Sequence, residues 1–291
     1  MKKGFLDYNQ KSLDEQYNLR PLVPYHEEIF KRYIRDSELT VANNPCALDI
    51  CYGKTKAERL DIFTTSGSTG RNPVLIFIHG GYWRNKDKAD YRYLAPAFTR
   101  VGVNFVLFNY TLAPNATMDK IVEENQNATL WVYNNIQEFG GDPERIFISG
   151  HSAGGHLVAM LMATNWKKIS NGMISKNIIR GVTAVSGIFD LEPIRQSYLN
   201  ESLQLTEAQV SRNSPIGLEP YSDIPLILSL GGEETDEYHR QQKAFFKAWA
   251  KNISDLSEIT MLGLNHYDVI DHLSMPGSAL HSAVLEQIES H

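Results

Sequence analysis

Gly150-His151-Ser152-Ala153-Gly154 sets a glycine two residues to either side of a serine. That spacing answers a steric demand of nucleophilic catalysis. A serine hydroxyl is a weak nucleophile, so it must be held up to substrate beside a base and near backbone donors. A G-x-S-x-G segment does this by turning sharply from a strand into a helix, with the serine exposed at the turn. The flanks agree: 145–149 is a short apolar run of strand type, and 153–164 is an apolar helical run. Ser152 is therefore the candidate nucleophile of an acyl transfer.

Acyl transfer passes through a tetrahedral oxyanion, which needs N–H donors aimed at where the charge develops. His79-Gly80-Gly81-Tyr82-Trp83 follows a third apolar run, about 70 residues before the serine. Its two glycines let the backbone come close to a substrate. Gly80 and Gly81 are thus candidate oxyanion donors, together with the N–H of Ala153, the residue after the serine.

The base must lie downstream. Of the histidines beyond the serine turn, His266 follows the last strand-like run, at the carboxyl end where an open parallel sheet places its ligands. It is the preferred general base. His239, His272 and His281 suit solvated or packing roles. The orienting acid is sought after the seventh run, in Gly231-Gly232-Glu233-Glu234-Thr235-Asp236-Glu237. Glu234, three residues past Gly231, has the favoured placement. Asp236 remains the alternative, and helix N-terminal capping accounts for unused carboxylates.

These residues require a scaffold of alternating elements. Strand-like runs fall at 47–52, 59–64, 74–79, 104–110, 145–149, 180–186, 225–230 and 257–262. Helical patterns fall at 90–100, 118–139, 153–164, 236–252 and 278–289. Strands alternating with helices predict β-α-β units in an eight-stranded, mostly parallel sheet flanked by helices. The first two strands have no helix between them and should form an antiparallel hairpin at one edge. Residues 1–45 read as an N-terminal helical cover, with an amphipathic stretch over 25–34, and 187–222 as a lid-like insertion after strand six. The whole chain, 1–291, reads as one domain.

Composition bounds the rest. The 291 residues are 42% hydrophobic with a formal net charge of −6, enough for a large core and without a basic stripe for nucleic acid. No window reaches the roughly 18 apolar residues of a membrane span, and the N-terminus has two lysines but no apolar signal core. A cytoplasmic protein is expected. Cys46 and Cys51 border one strand and should stay free, buried thiols. The histidines form no H-E-x-x-H pattern, so a metallohydrolase is disfavoured.

Several segments together carry a family resemblance. His79 to Trp83, Asn109-Tyr110-Thr111-Leu112-Ala113-Pro114, and Gly140-Gly141-Asp142-Pro143 leading into Gly150 to Leu157 resemble the α/β-hydrolases of the arylformamidase (kynurenine formamidase) group. That group lies close to the hormone-sensitive-lipase-like esterases. Glu15-Gln16-Tyr17-Asn18, Glu58 to Phe63, Glu237-Tyr238-His239-Arg240-Gln241 and Asn265-His266-Tyr267 extend the likeness over nearly the whole chain. The resemblance implies an α/β-hydrolase fold and hydrolysis of a small aryl formamide or carboxylic ester through an acyl-enzyme, N-formylkynurenine to kynurenine and formate being one such reaction. It implies a small-molecule acyl substrate and no metal or organic cofactor, and leaves a homodimer open. It supports Glu234 as the acid, although aspartate in many animal members keeps Asp236 in view. Tyr82, Trp83 and His151 would lie near substrate, with Tyr110 a further aromatic for an aryl pocket, whereas His156 should bond within the core. A general carboxylesterase for short acyl esters is the alternative. A non-catalytic ligand-binding homologue is the remote one, since such proteins normally lack a triad member.

Overall fold

The computed structural model describes residues 5–66, 70–174 and 176–291. Eight strands form one sheet: β1 Cys46–Cys51, β2 Arg59–Phe63, β3 Asn72–Ile78, β4 Asn104–Phe108, β5 Gly141–His151, β6 Gly181–Val185, β7 Leu226–Gly231 and β8 Leu256–Met261. Their order is β1-β2-β4-β3-β5-β6-β7-β8. β1 and β2 make the expected antiparallel hairpin, β2 runs antiparallel to β4, and every other pairing is parallel. The central strands read as continuous apolar runs because both faces are covered.

The period of two assigns the faces. On β3, Val74, Ile76 and Ile78 join one apolar cluster while Leu75 and Phe77 join the other. The first cluster is closed by α1 (Gln10–Tyr17), α4 (Met118–Asn135), α5 (Ala153–Met162) and α10 (Asp236–Trp249). The second is closed by α2 (His26–Asn43), α3 (Ala95–Thr99) and α11 (Ala279–Ser290). A short α6 (Trp166–Ile169) follows α5.

Three differences from the sequence expectation have local causes. The helix expected over 90–100 is a 3-10 segment, Lys88–Leu94, followed by α3, because Pro96 is tolerated only in a helix's first turn. The pattern over 118–139 ends as an α-helix at Asn135, and a 3-10 turn runs on to Gly140, whose φ of 74° closes it. The amphipathic stretch expected over 25–34 continues to Asn43. The insertion after β6 contains α7 (Glu192–Gln196), α8 (Asn200–Leu203) and α9 (Glu207–Asn213). Its Leu191, Ile194, Leu199 and Val210 are buried in the first cluster. Gln241 Oε1 accepts the N–H groups of Phe189 and Asp190 at 2.6 and 2.8 Å, tying the insertion's start to α10. Both cysteines are free, but neither is buried as expected: Cys46 is half-buried and Cys51 exposed, because they bound an edge strand. Among the described residues, no helix is long and apolar enough to cross a membrane.

The loop after β3 is fastened at its far end. Lys88, buried, places Nζ 2.8 Å from Asp61 and 2.7 Å from Asp49, and Arg92 Nε lies 2.7 Å from the other Asp61 oxygen. Two cations on one buried carboxylate leave no buried charge unpaired, the condition under which such a network is tolerated.

Candidate active site

Ser152 stands between β5 and α5 at φ 59°, ψ −118°, a conformation L-residues avoid. The turn is fixed by the Ser152 N–H, which donates to the Val185 carbonyl at 2.8 Å. It is also fixed by shape. A Cβ on Gly154 would collide with the Ile78 carbonyl, and one on Gly155 would sit 2.7 Å from Gly187 Cα. Helix α5 can therefore start against β3 and β6 only with glycine at both positions. Ala153 is its first residue, and its N–H belongs to the turn of donors that a helix leaves free.

The loop after β3 bends over this turn. A Cβ on Gly80 would lie 2.9 Å from both Ser152 Cβ and the His151 carbonyl, so only glycine lets the strands approach so closely. Gly81 takes φ 101°, and Tyr82 and Trp83 continue in the left-handed region at 49° and 56°. The Gly81 carbonyl closes this bend by accepting the N–H groups of Arg84 and Asn85, each at 3.1 Å.

His266, in the loop after β8, sets Nδ1 2.6 Å from Glu234 Oε2. Glu234 is buried just past β7. Its other oxygen accepts the Gly231 N–H at 2.8 Å and the Ser186 hydroxyl. The structure thus brings Glu234, and not Asp236, onto His266. Asp236 is exposed in the first turn of α10, where a negative charge favours the helix N-terminus.

His151 and His266 are adjacent rings, centroids 4.6 Å apart. The His151 Nε2–H donates to the His266 carbonyl at 2.9 Å. Burial first, and the neighbouring His266 next, press His151 well below its ordinary pKa, so it is a neutral ring that braces the loop of His266.

Ser152, His151, His266, Gly81 and Tyr82 line one cavity of about 400 Å³. This is the size of a small-ligand pocket. Gly80, whose added Cβ would lie 2.9 Å from Ser152 Cβ, and Ala153, the next residue in the chain, adjoin Ser152 but are not among the lining residues. Tyr82 takes part in the wall, its hydroxyl donating to the Tyr17 carbonyl at 2.8 Å and meeting the Tyr238 hydroxyl at 2.9 Å.

Trp83 and Tyr110 are placed differently from the expectation. Trp83 is fully buried, and its Nε1–H donates to His156 Nδ1 at 3.2 Å, because the left-handed bend that lifts Tyr82 into the cavity turns the next side chain into the core. Tyr110 is buried with its ring stacked on His79 at 4.7 Å and its hydroxyl on the His79 carbonyl. Neither lines the cavity.

His156 bonds within the core, as expected of it. Its Nε2–H donates to the Asn213 carbonyl at 2.7 Å, which leaves Nδ1 as the acceptor for Trp83. Burial lowers its pKa from 6.5 to about 4. Between those values the unfolded chain binds more protons, so this contribution is present above about pH 6.5 and lost as pH falls toward 4. From pH 7 to pH 5, His156 is expected to cost about 2 kcal/mol of stability. Urea titrations at both pH values check this: His156→Gln should show a smaller drop than the parent protein, and an equal drop would refute the assignment.

Some functional neighbours carried no sequence signal of their own. Ser186, just past the carboxyl end of β6, shares only the general position that pointed to His266. Arg84 and Lys86 line the cavity directly after the glycine segment, whose motif stops at Trp83. Tyr198, from the insertion, and Tyr17, Arg20 and Phe30, from the N-terminal segment, arrive only by tertiary packing.

A mostly parallel eight-stranded sheet, with a strained serine turn after β5 and an acid and a histidine after β7 and β8, defines an α/β-hydrolase. The chain belongs to the BD-FAE family, whose model matches residues 60–227, and within it is arylformamidase-like and close to the hormone-sensitive-lipase-like esterases. It is 29% identical to a kynurenine formamidase of Danio rerio over 83% of this chain and 81% of that one. To a kynurenine formamidase of Salmo salar it is 30% identical, over 78% and 76%. The crystal structure of a protein assigned as a thioesterase, from Silicibacter sp. TM1040, superposes with a TM-score of 0.82 at 23% identity, covering 94% of this chain and 98% of that one. The protein is a hydrolase of the α/β-hydrolase type.

Proposed function

We propose that the protein is a serine hydrolase that cleaves a small aryl formamide or carboxylic ester through an acyl-enzyme, with N-formylkynurenine as its leading substrate. Ser152 Oγ attacks the acyl carbon while His266 takes its proton. Glu234, on the opposite ring nitrogen, holds the histidine with Nδ1 protonated and stabilises the cation that forms. The N–H groups of Gly81 and Ala153, with Gly80 beside them, receive the oxyanion. As the tetrahedral intermediate collapses, His266 returns the proton to the departing amine or alcohol. Water, deprotonated by His266, then attacks the acyl-serine and releases formate or another carboxylic acid.

The single observation that carries this reading is the 2.6 Å contact between His266 Nδ1 and a buried Glu234, with His266 and Ser152 on one cavity wall. The formamide is favoured over a general ester by the similarity to kynurenine formamidases over most of the chain. Purified protein given N-formylkynurenine should release kynurenine with kcat/KM above that for p-nitrophenyl acetate. Robust ester turnover without kynurenine release would leave a general carboxylesterase in its place.

A further inference from the structure

We propose that the cavity beside Ser152 selects acyl substrates bearing a carboxylate, which Arg20, Arg84 and Lys86 receive. This rests on the reading of that cavity as the hydrolase site and adds the charge of what enters it. The chain carries a net charge of −6, yet among the described residues the cavity lining includes these three cations and no aspartate or glutamate. Clefts walled by one sign of charge focus the field on a ligand of the opposite sign.

The loop after β3 makes the contrast internally. Lys88 and Arg92 are both neutralised by buried or nearby carboxylates. Arg84 and Lys86, two to eight residues earlier, face the cavity, and among the described residues neither they nor Arg20 form an ion pair. They are nevertheless held in place. Arg84 donates to the Ser202 hydroxyl at 3.2 Å and lies over the Tyr198 ring at 5.5 Å. Lys86, at φ 78°, sets its ammonium 3.3 Å from the centre of the Phe30 ring. Aromatic contacts orient a cation without cancelling its charge. Burial, opposed by Asp90 and assisted by Arg20, lowers the Lys86 pKa, as expected of an ammonium that awaits a counter-ion. A substrate carboxylate would supply it, with the Arg84 guanidinium offering a fork of donors suited to two oxygens.

The test uses three aryl acetates that differ in charge: 4-acetoxybenzoate, phenyl acetate and 4-acetoxy-N,N,N-trimethylanilinium. Comparing each variant with the parent protein cancels the leaving groups' intrinsic reactivity. In Arg84→Gln and Lys86→Gln, the ratio of kcat/KM for the anionic over the neutral ester should fall roughly ten- to a hundredfold. The ratio for the cationic over the neutral ester should rise, and Arg84→Lys should retain more of the anion preference than Arg84→Gln. A binding arm is independent of turnover. By calorimetry, Ser152→Ala protein should hold 4-acetoxybenzoate about tenfold or more tighter than phenyl acetate, and adding Arg84→Gln should remove that difference. Ratios within twofold of the parent in both glutamine variants, or no anion preference in binding, would overturn the proposal. Absence of all turnover with anion-selective binding intact would instead count against the hydrolase reading and leave the charge selection standing.

Discussion

Replacing Ser152 by alanine is expected to cut kcat at least about 10⁴-fold, and up to about 10⁶-fold, while leaving the protein folded. Both halves follow from the turn. The hydroxyl is the only atom at this position that can form the acyl bond, and no neighbouring side chain can take its place on the strained backbone. Holding a non-glycine residue there costs about 1–3 kcal/mol. That cost stays the same for alanine, whose Cβ occupies the same space, so thermal unfolding should remain cooperative and near the parent midpoint. Activity that survives within tenfold in a folded Ser152→Ala protein would remove serine from the mechanism. A burst of product in the parent, absent in the variant, would report the acyl-enzyme directly.

The second large effect separates the two candidate acids. Glu234→Gln is expected to lower kcat by about 10⁴-fold, and Asp236→Asn by no more than a few-fold. The hydrogen-bond directions at Glu234 explain why a nearly isosteric change should cost so much. One carboxylate oxygen receives two donors, the Gly231 N–H and the Ser186 hydroxyl. A glutamine must keep its carbonyl oxygen there, which turns its NH₂ toward His266 Nδ1. The histidine must then accept at Nδ1 and carry its proton on Nε2, where it can no longer take one from Ser152. Adding Ser186→Ala to Glu234→Gln should recover little, because the Gly231 N–H still donates to the same oxygen and holds the amide in that orientation. Asp236 makes no contact with His266 and only favours the start of α10. Steady-state rates for the single and double variants decide the matter, and a larger loss in Asp236→Asn would make it the orienting acid.

The sheet was legible because its pattern is local. All eight strands lie within a few residues of their apolar runs, and the hairpin follows from a gap too short for a helix. Ser152 could be placed by the spacing of its two glycines, Glu234 by its offset from Gly231, and His266 by the rule that ligands gather at the carboxyl ends of parallel strands. Side-chain direction was not legible. Tyr82 and Trp83 are neighbours of similar type, and which one enters the cavity depends on three successive left-handed residues that no periodicity announces. Tyr110 belonged to a family-like segment, yet its partner is His79, a pairing set by β3 and β4 lying side by side. Arg20 and Phe30 lie more than 100 residues from Ser152 in the chain and meet it only because α1 and α2 cover opposite faces of the sheet and the segment between them crosses its carboxyl edge.

That crossing has an evolutionary reading. The stretch that matches the family model, 60–227, contains Ser152 and the glycine loop, whereas Tyr17, Arg20, Phe30, His266 and Tyr267 of the cavity wall lie outside it. The N-terminal contributors to the wall, Tyr17, Arg20 and Phe30 among them, are the ones that lie apart from every residue proposed to act on the acyl bond, since the glycine loop, the serine turn, Glu234 and His266 all sit further along the chain. Replacing the first 45 residues alone could redirect such an enzyme to new compounds without disturbing how it breaks them.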